Sequence, residues 1–291
     1  MKISAFTFIK NGTIFGFPYC ESIRSVLPIV DEFVVNVGLS DDDTLERIRA
    51  IDDPKIRIIQ SHWSDTMQIG GYVYGQQKMI AQFNCTGDWA FYLEGDEVVH
   101  EDELKKIVDA CRTYLDDDRV EALTFDYYHF YGNANTYLHS PGWYRRAARI
   151  IKTSIRSIAP DGLYWHVLTS KSKVARYPKS AHTGASIYHY GWVRSEDEMN
   201  RKLANVVKYW SASQQLIDYR EIDPTIVREF TGSHPATIRH WLPKEAGLFL
   251  PNPDHKLTRR EKKYRVMLWL ESWFGLELSK KHFDAIKSQY A

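Results

Sequence analysis

Six carboxylates follow an aromatic, apolar run in the stretch FYLEGDEVVHEDEL, residues 91–104. Glu94 and Asp96 stand at the end of that run, separated only by Gly95. Two carboxylates this close repel each other unless a cation binds beside them, and a glycine between them lets a ligand approach the backbone. Hard oxygen ligands of this kind suit Mg²⁺ or Mn²⁺, which usually also coordinate substrate phosphates. The pair therefore predicts a metal site. The acids at 101–103 are assigned instead to a helix start, where the helix dipole favours them.

Segments that read as strands alternate with segments that read as helices before this acidic stretch. The predicted strands are ISAFTFI (3–9), DEFVVNVG (31–38), KIRIIQ (55–60) and DWAFYL (88–93). The predicted helices are CESIRSVLPIV (20–30), SDDDTLERIRAI (40–51), YGQQKMIAQFN (74–84) and EDELKKIVDACRTYL (101–115). This alternation predicts an α/β fold, Rossmann-like, with a mostly parallel central sheet flanked by helices. Ligands bind such sheets beyond the carboxyl ends of the strands. Asn11, the stretch from Asn36 to Ser40 and the stretch from Glu94 to Glu97 lie at the ends of three of the strands, so we expect these loops to meet in one crevice.

The pattern changes after residue 115. VEALTFDYYHFYG (120–132) and WYRRAARIIK (143–152) read as longer strands, and the chain turns mostly helical and polar from about Ser195. The predicted units are a catalytic domain at 1–194, with a nucleotide-binding half at 1–105 and an acceptor half at 106–194, and a mostly helical C-terminal extension at 195–291.

Bulk properties exclude some classes of protein. A net charge of +1 gives no global attraction to nucleic acid. The three cysteines, Cys20, Cys85 and Cys111, show no C-x-x-C spacing and are predicted to be reduced thiols of a cytoplasmic protein. The opening residues MKISAFTFIKNG do not resemble a secretory signal, and no run reaches the ~18 apolar residues of a membrane span. We therefore predict a cytoplasmic protein.

Segment 258–291 is basic and aromatic and includes RREKKYRVMLWLESWFG. It is predicted to be a C-terminal helix packed on the domain. The alternatives are a peripheral helix lying on the anionic inner face of the membrane and a contact between subunits of an oligomer.

Three stretches, taken in order, resemble family 2 glycosyltransferases of the GT-A fold. A strand ending in Lys10-Asn11 is followed by DEFVVNVGLSDDDTLE and then by GDWAFYLEGDEVVHEDEL. The family typically reads DEIVVVDSGSTDGTLE and GDWILFLDADE at the last two places. The resemblance covers roughly residues 3–105 and extends more weakly to about 194, through WYRRAARII (143–151) and IYHYGWVR (187–194).

The resemblance implies a metal-dependent, inverting transfer of a sugar from a nucleotide-sugar donor, with a UDP-sugar favoured, to a glycan or lipid-linked acceptor. Mn²⁺ or Mg²⁺ would be the cofactor, and bacterial surface polysaccharide or lipopolysaccharide assembly would be the setting.

The resemblance also implies roles for single residues. The nucleotide would be bound by Phe8, Ile9, Asn11, Asn36, Gly38, Gln77, Glu94 and Gly95. The metal would be bound by Asp96, with Glu94 and His189. The acceptor or the diphosphate would be bound by Trp143, Arg146, His166 and Trp192, with Arg145 and Arg149 as further candidates. Asp161 is favoured as the base for the acceptor hydroxyl, and Asp126 and His166 are the alternatives.

Several positions depart from the family pattern. Asn36 stands where the family has Asp, and Glu94 replaces the first Asp of the acidic motif. These departures leave the nucleotide open and keep a non-catalytic nucleotide- or carbohydrate-binding protein as the alternative. A sugar nucleotidyltransferase is disfavoured, because KNGTIFGFP (10–18) is not the Gly-rich basic loop that such enzymes use.

Overall fold

A central mixed sheet flanked by helices organises the molecule. The computed structural model describes residues 1–64, 66–67, 69–169, 175–206, 216–243 and 249–286. Within these residues the large sheet has 11 strands, and a second sheet has three. The predicted α/β class is confirmed.

The first half of the chain builds the parallel side of the large sheet. Its strands are β1 (Ile3–Ile9), β2 (Glu32–Gly38), β3 (Ile56–Ser61), β4 (Trp89–Tyr92) and β5 (Glu97–Val99). Its helices are α1 (Tyr19–Val26), α2 (Thr44–Arg49), α3 (Tyr72–Gln82) and α4 (Leu104–Tyr114). Strands β3, β2, β1 and β4 lie side by side in that order and run parallel. Each predicted element of this half is found, and the short strand β5 is additional.

The next segment makes the sheet mixed. Its strands in the large sheet are β6 (Ala122–Tyr131), β7 (Asn133–Leu138), β8 (Arg146–Lys152) and β12 (Lys179–Trp192). The small sheet contains β9 (Ser157–Ile158), β10 (His166–Leu168) and β11 (Ala175–Arg176). Strand β8 pairs antiparallel with β4 and β6, and β12 runs parallel to β6 and antiparallel to β5.

The C-terminal region is helical in part and returns to the sheet twice. Its elements are α5 (Glu196–Val206), β13 (Val227–Glu229), α6 (Arg259–Phe274) and β14 (Asp284–Ala285). Strand β13 pairs with β7, and β14 pairs with β12. Helix α6 begins with a capping box between Thr258 and Glu261 and ends at Gly275 in the left-handed region. Short 3-10 helices occupy Leu27–Ile29, Glu101–Glu103, Pro224–Ile226 and Ala236–Ile238.

The core explains why the polar loops sit where they do. Both faces of the central strands are covered, and side chains such as Phe33, Trp89 and Phe91 are fully buried. Because β1, β2 and β4 run parallel, the loops after Ile9, Gly38 and Tyr92 leave the sheet at one edge. This edge is where polar side chains collect.

Two local expectations are confirmed. Glu101–Glu103 form the 3-10 turn that leads into α4, and the His100 ring accepts a hydrogen bond from the backbone N–H of Asp102. Cys20, Cys85 and Cys111 are free thiols. In the part of the chain that the structure describes, no helix is long and apolar enough to cross a membrane.

Candidate functional site

A cavity of about 500 Å³ opens at the carboxyl ends of β1, β2 and β4. This volume falls within the ~300–1,000 Å³ typical of small-molecule sites. Its lining includes the predicted residues Phe8, Ile9, Asn11, Glu94, Gly95 and Asp96. Residues that the sequence did not single out complete the lining, among them Phe17, Asp41, Trp63, Tyr74, Tyr92, Leu163 and Lys202.

Aromatic rings form one wall of this cavity. Phe8 lies 5.9 Å from Trp63, 6.0 Å from Tyr74 and 6.1 Å from Tyr92 between ring centroids. Trp63 and Tyr74 meet edge to face at 5.5 Å. Aromatic faces of this kind offer a flat, apolar surface suited to a nucleobase.

The rim of the cavity is fixed by hydrogen bonds between the loops after β1 and β2. The Asn11 side chain donates to Asp41 Oδ2 at 3.1 Å and accepts from the Asp41 N–H at 2.8 Å. The Asn11 N–H also donates to Ser40 Oγ at 3.0 Å. Asn11 has a φ of 53°, a left-handed conformation that asparagine tolerates better than most residues. The two loops therefore act as one rigid edge.

Glu94 belongs to a buried ionic network beneath the cavity. Arg149, which is 0% exposed, donates through Nη2 to Glu94 Oε1 at 2.9 Å and to Glu97 Oε1 at 2.6 Å. Its Nη1 donates to the Leu163 carbonyl at 2.7 Å, and Tyr127 donates its hydroxyl to Glu97 at 2.8 Å. Burial, together with repulsion from Glu97, raises the pKa of the Glu94 carboxyl to about 8 despite the nearby guanidinium.

Asp96 faces the other way, toward β12 and α5. Its Oδ1 lies 3.7 Å from His189 Nε2, and its Oδ2 lies 3.4 Å from Lys202 Nζ. Burial alone would raise the pKa of Asp96, but the positive charges of Lys202 and Arg194 lower it. Burial lowers the pKa of Lys202 to about 8, although the negative charge of Asp96 acts to raise it. The Asp96 carboxylate is therefore ionised and only partly neutralised by its protein neighbours.

The hydrogen bonds of His129 decide which nitrogen of His189 carries a proton. His129 Nε2 lies 2.7 Å from the Tyr144 carbonyl oxygen, which can only accept, so this nitrogen carries the hydrogen. The two Nδ1 atoms of His129 and His189 are 3.0 Å apart. Burial lowers the pKa of both rings, well below the usual value for His129. A neutral His129 must then accept at Nδ1, so His189 donates from Nδ1 and keeps a bare lone pair on Nε2.

This arrangement places two acceptor atoms face to face. Asp96 Oδ1 and His189 Nε2 cannot hydrogen-bond to each other without an extra proton, and 3.7 Å is too long for such a bond. Two ligands of a cation bound at about 2.1 Å can be up to about 4.2 Å apart, so the pair fits a shared divalent ion. A Cβ on Gly191 would lie 2.7 Å from both Asp96 Oδ2 and His189 Nε2, so only glycine leaves this space open.

The pair supplies two protein ligands. Among the described residues, no cluster of three or more His, Cys, Asp or Glu side chains could hold a metal by itself. Glu94, which the resemblance also assigned to the metal, accepts a hydrogen bond from Arg149 at Oε1, and its role at the metal stays a prediction. A divalent ion at Asp96 and His189 would therefore take its remaining ligands from water or from a substrate phosphate.

Three predicted nucleotide-binding residues lie behind the cavity lining. Asn36 and Gln77 are fully buried, and Asn36 donates to the Gln77 side chain at 2.9 Å. Gln77 in turn donates to the His62 carbonyl at 3.2 Å. A Cβ on Gly38 would lie 2.6 Å from Trp63 Nε1, so this glycine lets the indole close the aromatic wall. These residues position the lining.

Asp161 lies in the loop that forms one side of the cavity, but its neighbours Gly162 and Leu163 provide the lining. Its Oδ1 accepts from the N–H groups of Leu163 at 2.7 Å and Tyr164 at 3.4 Å. The buried Lys78 holds the same loop by donating to the Gly162 carbonyl at 3.2 Å. The structure thus gives Asp161 a turn-forming contact, and its role as the base stays a prediction.

The structure does not bring the predicted acceptor residues to the cavity lining. Trp143 and Trp192 pack against each other, with ring centroids 5.5 Å apart, in an apolar cluster. Arg146 donates a hydrogen bond to Asp126 at 2.8 Å, so it is paired with the residue that is one of the two alternative candidates for the base. His166 lies against Tyr164, with ring centroids 5.3 Å apart, in the small sheet.

Sequence reasoning missed Lys202, Arg194, His129, Glu97 and Trp63. Glu97 lies within the acidic stretch 91–104, but no short motif marks the others, because each comes from an element far along the chain from the residue it touches. One signal was available: IYHYGWVR carries His189, Gly191 and Arg194 within a few residues of each other. Of these three residues, the sequence interpretation assigned a role only to His189.

Comparison with known proteins gives a likeness at the level of structure. No protein-family model and no curated protein matches the sequence. The structure of S. aureus TarS 1–349 is 16% identical, with a TM-score of 0.37, over 53% of this chain and 48% of that chain. The longer S. aureus TarS structure is 13% identical, with a TM-score of 0.40, over 71% of this chain and 39% of that chain.

A third similar structure is glucosyl-3-phosphoglycerate synthase from Mycobacterium tuberculosis in complex with Mn²⁺, uridine diphosphate and phosphoglyceric acid. It is 18% identical, with a TM-score of 0.32, over 43% of this chain and 43% of that chain. The chain therefore spans less than half of the length of each of these proteins. The chemistry of this chain has to be derived from its own residues.

Proposed function

We propose that the protein is a glycosyltransferase that uses a nucleotide-diphosphate sugar, with a UDP-sugar favoured, and a divalent cation. One observation carries the proposal: the cavity with the aromatic wall is also lined by Asp96, whose Oδ1 lies 3.7 Å from the acceptor atom Nε2 of His189 behind the lining. A nucleotide-diphosphate sugar needs both features, because its base is flat and apolar and its diphosphate is anionic.

Asp96 and His189 would hold the metal, since their acceptor atoms Oδ1 and Nε2 lie 3.7 Å apart beside Gly191. When bound, a divalent cation neutralises charge on the diphosphate leaving group. Lys202, whose ammonium lies 3.4 Å from Asp96, adds a protein charge at the same end of the cavity. The chain thus supplies positive charge where negative charge develops as the sugar leaves.

The other residues bind and orient. Phe8, Trp63 and Tyr74 receive the base, and the Asn11–Asp41 rim fixes the edge beside it. We propose an inverting transfer with Asp161 as the base, which takes the proton of the acceptor hydroxyl as that oxygen attacks the sugar carbon. Asp161→Asn tests this step: transfer should fall while nucleotide binding is kept, and unchanged transfer would remove Asp161 from the mechanism.

The deciding experiment is a thermal-shift titration with UDP, GDP, CMP and TDP, each with and without Mn²⁺. A ligand present at 100 times its Kd stabilises the native state by about 2.7 kcal/mol. We expect one nucleotide to raise Tm in a Mn²⁺-dependent way. Asp96→Asn should abolish this shift, and Asp43→Asn, on an exposed carboxylate, should keep it. The proposal fails if no nucleotide stabilises the wild-type protein.

A second candidate function is metal-free nucleotide binding without transfer. The Lys202–Asp96 contact favours it, because the ammonium already offers Asp96 a cation. Binding that persists in EDTA, is lost in Lys202→Met, and is accompanied by no release of nucleotide diphosphate from the sugar donor would select this candidate over the first.

We further propose that α6 contacts an anionic membrane, where a glycan or lipid-linked acceptor would be presented. Its outer face exposes Val266 at 58%, Trp269 at 56% and Trp273 at 71%. Their spacing of three and four residues places them on one stripe with Lys262. Exposed indoles beside cationic side chains are typical of helices that lie in a lipid headgroup layer.

Vesicle flotation tests the membrane contact. The protein should bind vesicles that contain phosphatidylserine and not vesicles of phosphatidylcholine alone. Trp269→Ser with Trp273→Ser should abolish binding, and Phe83→Ser, which removes an equally exposed ring elsewhere, should not. Binding that is unaffected by the tryptophan changes would overturn the proposal. If the wild-type protein is a dimer in solution and the double variant is a monomer, α6 forms a subunit contact instead, and the proposal is also overturned.

A further inference from the structure

A second cavity adjoins the candidate nucleotide-sugar site. Its volume is about 980 Å³, and its walls come from the loop after β1, the β6–β7 turn and helix α5. It shares Phe15, Lys202 and Asn205 with the first cavity. A molecule in the second cavity would therefore border the cation-binding end of the first.

The charged residues that line this second cavity are mostly positive. They are Arg194, Arg201 and Lys202, with Glu198 as the one carboxylate in the described lining. Glu198 is already engaged, because its Oε2 accepts from the Ser195 N–H at 3.0 Å and hydroxyl at 2.8 Å in a capping box that starts α5. The cavity therefore keeps an excess of positive charge.

Arg194 is the unusual member of this group. It is 9% exposed, yet its Nε and Nη2 atoms are buried with no hydrogen-bond partner in the described part of the chain. Its Nη1 donates to the Phe15 carbonyl, and the guanidinium stacks over the Phe17 ring at 5.5 Å. These contacts hold the group in place. Buried guanidinium N–H groups without acceptors are costly, and a small shift of the side chain toward the cavity that it lines would let an oxyanion of a ligand remove that cost.

We infer that the second cavity binds the acceptor and that this acceptor carries an anionic group, a phosphate or a carboxylate, recognised by Arg194 and Arg201. This inference rests on the proposed glycosyl transfer. It moves the acceptor away from Trp143, Arg146, His166 and Trp192, none of which lines this cavity. Arg201 is exposed on α5 and can meet an incoming anion, while Arg194 holds it deeper in the cavity.

The donor diphosphate is the competing occupant of these arginines. Arg194 and Arg201 line the second cavity and are absent from the lining of the first, whereas Lys202 lines both. Lys202 is therefore the cation suited to the donor phosphates, and the two arginines face a separate ligand. Occupying the donor site with nucleotide should leave them free.

The test is equilibrium dialysis with radiolabelled inorganic phosphate. The protein is first saturated with Mg²⁺ and the nucleotide diphosphate that the thermal-shift titration identifies. We expect phosphate to bind this complex, and Arg194→Gln and Arg201→Gln each to weaken it about tenfold, the scale of one lost charge-assisted hydrogen bond. Arg112→Gln, an exposed arginine on α4, is the matched control and should bind as wild type does.

The outcomes separate this inference from the proposed function. Nucleotide binding without phosphate binding overturns the inference alone, and so does phosphate that competes with the nucleotide. If no nucleotide binds, the proposed function fails. Equilibrium dialysis with phosphate on the free protein then decides whether the two arginines form an anion site. Arg201→Gln keeps the test valid even if Arg194→Gln does not fold, because Arg201 is exposed. Unchanged binding in Arg201→Gln would also count against the inference.

Discussion

Glu94 and Asp96 are one residue apart, but the structure surrounds them in opposite ways. The Glu94 side is closed: Arg149 is fully buried, and each of its three nitrogens donates to a carboxylate or a carbonyl. The Asp96 side is open: its carboxylate lines the cavity and faces a histidine lone pair and one ammonium.

The different surroundings of Glu94 and Asp96 indicate different roles, stability for the Glu94 side and ligand binding for the Asp96 side. The buried guanidinium pairs with both carboxylates, and it ties β8 to the loop after β4. The Lys202 ammonium contacts only Oδ2 of Asp96, so the facing acceptors Oδ1 and His189 Nε2 are left without a hydrogen or cation between them. We therefore expect mutations on the closed side to unfold the protein and mutations on the open side to abolish ligand binding in a folded protein.

The largest effect should come from Arg149→Met. Removing the guanidinium leaves Glu97, which is 0% exposed, without its cationic partner. Breaking a buried pair in this way costs about 3–5 kcal/mol. Chemical denaturation should show this loss, whereas Arg146→Met, on the same strand but in a half-exposed pair with Asp126, should cost under about 1 kcal/mol. Equal losses in the two variants would contradict the closed network.

Gly191→Ala should disable the open side without a comparable loss of stability. The added Cβ would lie 2.7 Å from both Asp96 Oδ2 and His189 Nε2, so those atoms must move apart. We expect at least about a hundredfold loss of sugar transfer, the scale seen when one preorganised electrostatic group is removed. Circular dichroism should show the native fold. A variant with normal Mn²⁺ binding and normal transfer would show that this space is not the metal site.

His129→Phe should have a smaller effect, on metal affinity alone. Without the acceptor at Nδ1, the His189 ring is no longer fixed with its Nε2 lone pair toward Asp96. Loss of such a partner weakens metal binding about 10–100-fold. Isothermal titration with Mn²⁺ measures this. His129→Gln, which can both accept from His189 and donate to the Tyr144 carbonyl, should restore most of the affinity. Identical weakening in both variants would indicate a packing role instead.

The smallest effect at neutral pH concerns the loop that carries Leu163. His282 stacks on Tyr164 with ring centroids 4.2 Å apart, and burial, with the charge of Lys280, lowers the pKa of His282 to about 4. The unfolded chain then binds the extra proton between about pH 6.5 and 4, so the free energy of unfolding falls as the pH falls through that window. His282→Phe should remove this part of the pH dependence, as followed by Tm. A slope unchanged by the substitution would exclude His282 as its source.

Local sequence patterns predicted the parallel half well. Strands β1 to β4 and the helices between them follow the hydrophobic periodicity, because each buries an apolar stripe or two faces in the core. The same patterns missed β12 over Lys179–Gly184, since these polar residues become a strand only by pairing beside β6. They also missed the return of the C-terminal region to the sheet through β13 and β14.

The candidate site also has features that the sequence predicted and features that it missed. The sequence placed Asn11, Glu94 and Asp96 together, because all of them stand at the ends of parallel strands and must meet at one edge, and the resemblance added Phe8. It assigned Glu94 and Asp96 a joint role in binding metal. The tertiary structure separated them, since the partner of each is supplied by a distant strand, β8 for Glu94 and β12 for Asp96.

The sequence alone determined the α/β class, the edge at which polar loops gather and the carboxylates that could meet a cation. These depend on short-range periodicity and on the direction of parallel strands. Only the tertiary structure decided which carboxylate is neutralised internally, which proton His189 keeps and where a cationic cavity adjoins the site. Those properties depend on distances of a few ångströms between residues far apart in the chain, such as Asp96 and Lys202, and local patterns do not encode such distances.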